Sequence, residues 1–146
     1  MGLFVNRCES GTAFLGPWIL GSLALVTEDT KKRRWALGEG ERLLQENSVS
    51  HNFLHFYQNA IEAALVEKDW YGAERYAALL EEYTRLEPLP WSDFFIGRAR
   101  VLAALGAGVW ESTMGKTLQQ LYAEARRANL KAALPALEEA LEVIKP

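Results

Sequence analysis

His51 and His55 are the whole histidine supply of this 146-residue chain, and they stand four residues apart. On a helix, positions i and i+4 share one face, so two imidazoles could meet one ion there. Zinc hydrolases that use this spacing carry a glutamate after the first histidine. Asn52 stands at that place, and no third ligand is evident. We therefore expect no metal site. Gly115-Lys116-Thr117 ends like a phosphate-binding loop, whose backbone amides wrap phosphate only if a glycine also lies five residues earlier. Trp110 occupies that place, and the preceding segment reads as helix rather than strand. The reading is a helix start or a loop glycine, followed by a solvated lysine. Glu81-Glu82 and Glu138-Glu139 are adjacent, so each pair diverges around a helix and suits no shared proton transfer. Cys8 is the single thiol, which excludes an intrachain disulfide and a cysteine zinc site. No Ser-His-Asp or Cys-His arrangement can be built. The expectation is a non-enzyme with no catalytic residues and no cofactor.

Lys31-Lys32-Arg33-Arg34, beside Trp35, is the basic run of the chain. The chain as a whole has a net charge of −3 and a pI near 5.5. Nucleic-acid binders usually show a basic excess. The tetrad is read as a solvated helix face, and no nucleic-acid partner is expected.

The elements that would hold these residues are helical. Hydrophobic residues make up 49% of the chain and aromatics 11%, with five tryptophans, which lies outside the composition of disordered chains. The length suits one domain, residues 1–146, burying roughly 68–70% of its unfolded surface. Residues 10–27 carry no charge, but Gly11, Thr12, Gly16, Pro17, Gly21 and Ser22 dilute their hydrophobicity. Arg7 and Glu9 precede them, unlike the basic start of a secretory signal. The run reads as a buried helix rich in small packing residues, so neither a leader nor a membrane span is expected. A single thiol fits a reducing compartment, and the expected localisation is cytoplasmic.

Helical spacing recurs along the chain. Phe53, Phe56, Tyr57, Ala60, Ile61 and Ala64 form one apolar face, and Ala73, Tyr76, Ala77, Leu80 and Tyr83 form another. Asp69 lies between them as a helix N-cap should. A shift of forty residues aligns Ala24-Leu25-Val26 with Ala64-Leu65-Val66 and Ala104-Leu105. It also aligns Asp29 with Asp69, Trp70 with Trp110, Phe14 with Leu54 and Phe94, and Ser10 with Ser50 and Pro90. The spacing predicts helical hairpins over about 10–48, 50–87 and 90–129, breaking near Glu28-Asp29, Lys68-Asp69 and Gly106-Ala107-Gly108. Pro88 and Pro90 separate the last two. A capping helix over about 134–145, with Pro135 in its first turn, turns Leu137, Leu141 and Ile144 inward. The predicted fold class is all-α: a tetratricopeptide-like right-handed α-α superhelix of three hairpins plus that cap.

Lys68-Asp69-Trp70-Tyr71-Gly72-Ala73 resembles the turn of a tetratricopeptide repeat, Gly-Asp-Tyr-x-x-Ala. Alignment on Ala73 puts Tyr57, Ile61, Ala64, Ala77 and Leu80 at packing positions. Ile61 replaces the usual small residue, and Ala77 the usual aromatic. A wider resemblance covers most of the chain. The segments 9–18 (ESGTAFLGPW), 75–95 (RYAALLEEYTRLEPLPWSDFF) and 132–138 (AALPALE) resemble the C-terminal helical-repeat region of large bacterial class III adenylate/guanylate cyclase-like proteins. In that family a cyclase domain and an ATPase domain precede the repeats, and nothing here resembles either. The resemblance implies a non-catalytic, regulatory tail, with cyclase or ATPase domains as candidate partners.

The tetratricopeptide alignment places His55, Gln58 and Glu62 on the concave face, with Leu65 and Val66 beyond. The forty-residue shift adds Trp18, Phe95 and Arg98. This mixture suits a protein or peptide partner, since aromatic and arginine anchors commonly dominate interfaces. A homodimer through exposed apolar ends is a further expectation. The alternative is a small-molecule-sensing helical domain, in which polar groups converge inside an enclosed apolar pocket.

Overall fold

A computed structural model describes residues 16–46 and 50–145. Cys8, Ser10, Phe14 and the expected start of the first hairpin lie outside the described residues. Among the described residues the chain forms seven α-helices: α1 (16–26), α2 (Thr30–Leu44), α3 (Ser50–Val66), α4 (Trp70–Thr84), α5 (Pro90–Gly106), α6 (Met114–Arg127) and α7 (Leu134–Val143). A 3-10 turn, Lys131–Ala133, leads into α7. The chain divides into two compact units, Met1–Ala63 and Ala64–Pro146, with the border inside α3. Within each unit, helices adjacent in sequence pack antiparallel, as helical hairpins do.

The helix starts follow from their caps. Asp29 accepts hydrogen bonds from the backbone amides of Lys31 and Lys32, at 2.9 and 3.1 Å. Asp69 accepts from the amide of Gly72 at 2.9 Å. Each satisfies donors that a helix N-terminus leaves open. α5 instead starts with Pro90 in its first turn, where a missing N–H costs nothing. The bounds of α2 and α4 run 30–44 and 70–84, an offset of forty residues at both ends. Those of α3 and α5 run 50–66 and 90–106, the same offset.

The register then slips. The position forty after Asp69 is Val109, which has no capping oxygen, and α6 starts at Met114 rather than at 110. Trp110, aligned by sequence with the helical Trp70, therefore lies in a loop and is 58% exposed.

Three helix ends share one closure. Beyond α3 the amides of Lys68 and Asp69 donate to the carbonyls of Leu65 and Ala64, with Lys68 at φ 58°. Beyond α5, Gly108 and Val109 donate to Leu105 and Ala104, with Gly108 at φ 80°. Beyond α6, Asn129 and Leu130 repeat the pattern onto Arg126 and Ala125, with Asn129 at φ 58°. This pairing is the Schellman motif, which turns the chain sharply and satisfies terminal carbonyls.

The first unit packs around Phe56, which is fully buried. A Cβ on Gly40 of α2 would overlap its ring, and one on Gly21 of α1 would stand 3.3 Å from it. Ala24, Ala36 and Ala63 continue this contact of small residues. Arg33 turns inward, against the expectation of a wholly solvated basic run. Its Nε donates to the carbonyl of Ala24 at 2.7 Å, and its guanidinium also reaches that of Thr27. A cation at the carbonyl end of α1 satisfies open acceptors and opposes the helix dipole. Lys31, Lys32 and Arg34 stay exposed.

The second unit has a bulkier core. Phe94 and Phe95 of α5 pack with Met114, Leu118 and Leu121 of α6 and Leu137 of α7. The rings of Phe94 and Phe95 meet edge to face at 5.1 Å. Leu137 is buried, as expected for the closing helix, and Leu141 and Ile144 are half-buried. Tyr83, expected on the inner face of α4, is exposed. Thr84 is buried in the last turn and returns its hydroxyl to the Leu80 carbonyl at 3.0 Å.

Candidate functional site

The residues with chemical potential are mostly engaged in helix construction. Lys116 is exposed in the first turn of α6, and Thr117 Oγ1 donates to the Thr113 carbonyl at 3.2 Å. The Gly-Lys-Thr run is thus the start of a helix. The adjacent glutamates diverge: Glu81 pairs with Arg100 and Glu82 with Arg85, while Glu138 accepts from the Tyr122 hydroxyl at 3.2 Å. The Arg100 guanidinium holds the Glu81 carboxyl below its usual pKa range. Among the described residues, no group of three or more His, Cys, Asp or Glu side chains is placed to hold a metal. Nor is any described helix long and apolar enough to cross a membrane.

The six expected groove residues fall into two groups. In the first unit, Trp18 of α1 stacks on His55 of α3, with centroids 5.1 Å apart and planes 16° apart. Trp18 keeps 44% of its surface exposed, and Gln58 and Glu62 are half-buried on α3. In the second unit, Phe95 and Arg98 are buried. Arg98 is only 2% exposed, and its Nε donates to the Ala133 carbonyl at 3.3 Å. That bond ties α5 to the turn before α7. At that burial the side chain presents no open face to a partner.

An apolar groove does exist in the second unit. It is a cleft of about 310 Å³ formed by the last turn of α3, the start of α4, the C-terminal half of α5 and α7. Leu65, Leu102, Leu105, Ala140 and Val143 line it, with the Trp70 ring along one wall. That ring lies against the backbone of Gly106, where an added Cβ would stand 2.5 Å from it. Lys68 and Glu139, both exposed, are the charged residues at the groove. Lys68 owes its position to the left-handed backbone closing α3.

Leu65 belonged to the expected concave face. The other lining residues were missed, although one signal was present. Leu105 is the forty-residue counterpart of Leu65, and the two leucines meet the same cleft. The contribution of α7 has no such signal, because α7 lies outside the forty-residue alignment. No protein-family model matches the chain, and no curated protein or solved structure matches it either.

Proposed function

We propose that the chain is a non-catalytic protein-interaction or regulatory scaffold, a tetratricopeptide-like right-handed superhelix of three hairpins closed by α7. One observation carries this reading. Leu65 and Leu105, equivalent positions forty residues apart, line one half-buried apolar groove. Stacked hairpins build extended binding faces by presenting equivalent positions side by side. The matching bounds of α2 and α4, and of α3 and α5, support the same architecture. The resemblance to the tail of cyclase-like proteins makes cyclase or ATPase domains the candidate partners.

The test is titration of the purified chain onto a class III cyclase–ATPase protein lacking its own helical-repeat tail. Saturable binding with a change in cyclic-nucleotide production is expected. The absence of both binding and a change in turnover would sink the regulatory reading. Self-association through exposed Trp110, Leu86 or Val143 is checked by sedimentation, and a monomer at high concentration removes it.

A second reading is a small-molecule sensor. The cleft volume of about 310 Å³ is near the lower end for ligand sites. A metabolite that raises the melting temperature, and loses that effect in Val143→Glu, would favour it over a protein partner.

A further inference from the structure

We propose that the outer face of α2 binds single-stranded nucleic acid, with a base stacked on Trp35 and neighbouring phosphates held by Lys31, Lys32 and Arg34. This goes beyond the scaffold reading and uses a different face. The helix register places the residues. Lys31, Trp35 and Gly38 follow i, i+4 and i+7 spacing, and Arg34 stands three after Lys31, so one stripe carries all four. Lys32, three before Trp35, flanks that stripe. The buried residues of α2, Arg33, Ala36, Gly40, Leu43 and Leu44, occupy the opposite side.

Three features of this stripe weaken the helix or leave apolar surface in water. Lys31 and Lys32 lie in the first turn, where the helix dipole disfavours cations. Among the described residues, none of Lys31, Lys32 and Arg34 pairs with a carboxylate. Trp35 is 58% exposed, and its ring meets no other described ring. Gly38 weakens a helix interior, yet nothing lies within 4 Å of where its Cβ would be, so close packing does not require it. Local rules broken together, with no gain inside the fold, mark a functional face.

Charge and shape select the occupant. Three exposed cations call for an anion. Asp29 is engaged as the cap of α2 and Glu39 with Arg42, which leaves exposed Glu28 to temper the patch. A protruding ring beside a bare glycine offers a flat surface and no pocket. That suits a base, because every base has a face that stacks on an aromatic ring. An acidic peptide would gain only exposed ion pairs, each worth little. A bilayer takes an apolar helix face, and α2 buries its own in the core. Bases in a duplex are already stacked, so the single strand gains most from the ring. The net charge of −3 repels polyanions at long range, so the binding is weak and salt-sensitive.

The experiment titrates the full chain onto fluorescein-labelled oligo(dT) of about 12 nucleotides and reads anisotropy. Binding on the order of 10⁻⁴ M or tighter is expected at low salt. Trp35→Leu keeps an apolar side chain but removes the stacking face, and should weaken binding about tenfold. Lys31→Gln, Lys32→Gln and Arg34→Gln should each lower the slope of log affinity against log salt by about 0.7. A side chain at position 38 leans back over position 35, so Gly38→Leu should cover the ring and weaken binding severalfold. All five substitutions are at exposed positions, and melting temperatures that hold or rise separate lost binding from lost folding.

Inorganic polyphosphate and polyglutamate, which carry charge without bases, should compete at least tenfold less well than unlabelled oligo(dT). Equal competition by either would overturn the proposal, as would tighter binding of a duplex of the same length. No binding at low salt, or binding unchanged in Trp35→Leu, would do the same. Preference for phosphatidylserine vesicles over the oligonucleotide would make a lipid surface the occupant and remove the nucleic acid.

Discussion

Gly40 in α2 and Gly97 in α5 both sit in helix interiors, one in each unit, but they have different surroundings. A Cβ on Gly40 would overlap the Phe56 ring. A Cβ on Gly97 would meet only Leu121 Cδ2, at an ordinary 3.7 Å. The first unit is assembled by letting an aromatic ring touch bare backbone, so its helices approach through glycine and alanine. The second fills the space between α5, α6 and α7 with phenylalanine, leucine and methionine. One solution depends on what is missing at Gly40 and Gly21, the other on what is present at Phe94, Leu118 and Leu137.

The largest effect should come from removing the ring on which the first solution rests. Phe56→Ala is expected to cost about 3–5 kcal/mol, the range for truncating a buried aromatic. Denaturant unfolding measures it. A cost below about 1 kcal/mol would mean that the glycines and alanines pack adequately without Phe56. Gly40→Ala tests the contact from the other side. Overpacking should cost about 1–3 kcal/mol, despite the better helix propensity of alanine. Gly97→Ala should instead stabilise by up to about 1 kcal/mol, because the propensity gain meets no steric penalty. If the two substitutions shift the melting temperature in the same direction, the comparison fails.

Gly108 isolates a third use of glycine. Nothing lies within 4 Å of where its Cβ would be, and its φ is +80°. Gly108→Ala is therefore expected to cost about 1–2 kcal/mol through backbone conformation alone. Lys68 already tolerates the same left-handed closure forty residues earlier. Lys68→Gly should accordingly stabilise, by less than Gly108→Ala destabilises. Melting curves of the two variants test that order.

These contrasts also mark what the sequence could reveal. Asp29, Asp69, Pro90 and Pro135 act locally, through a hydrogen bond or a fixed φ, and they placed helix starts at the right phase. The missing cap at Val109 is equally local, yet the alignment of Trp70 with Trp110 hid it. Contacts over long sequence distances were not legible. Gly40 beneath Phe56 needs the approach of two helices to be known. Arg33 looked like its basic neighbours until the carbonyl end of α1 was placed beside it. Phe95 and Arg98 were read onto an open face because an aligned repeat assumes equivalent surroundings. α7 breaks that assumption by packing on α5 and α6.

The smallest expected effect concerns how α4 is tied to α5. Arg100 reaches across to two carboxylates seven residues apart on one face of α4: Glu74 at 3.0 Å and Glu81 at 2.7 Å. All three side chains are substantially exposed, so the coupling of Glu81 should add only about 0.2–1 kcal/mol, far below the Phe56 term. Its sign with pH is fixed. The hydrogen bond from Arg100 lowers the Glu81 pKa in the folded state. Its stabilisation is present above the ordinary carboxylate range and is lost as pH falls through the lowered value. Glu81→Gln should therefore melt a few degrees or less below the parent at neutral pH. The two curves should converge in acid, and also in high salt, which screens exposed pairs. A gap that persisted in acid would assign the loss to packing at α4 rather than to charge. The second unit would then rely on shape at its surface as well as in its core.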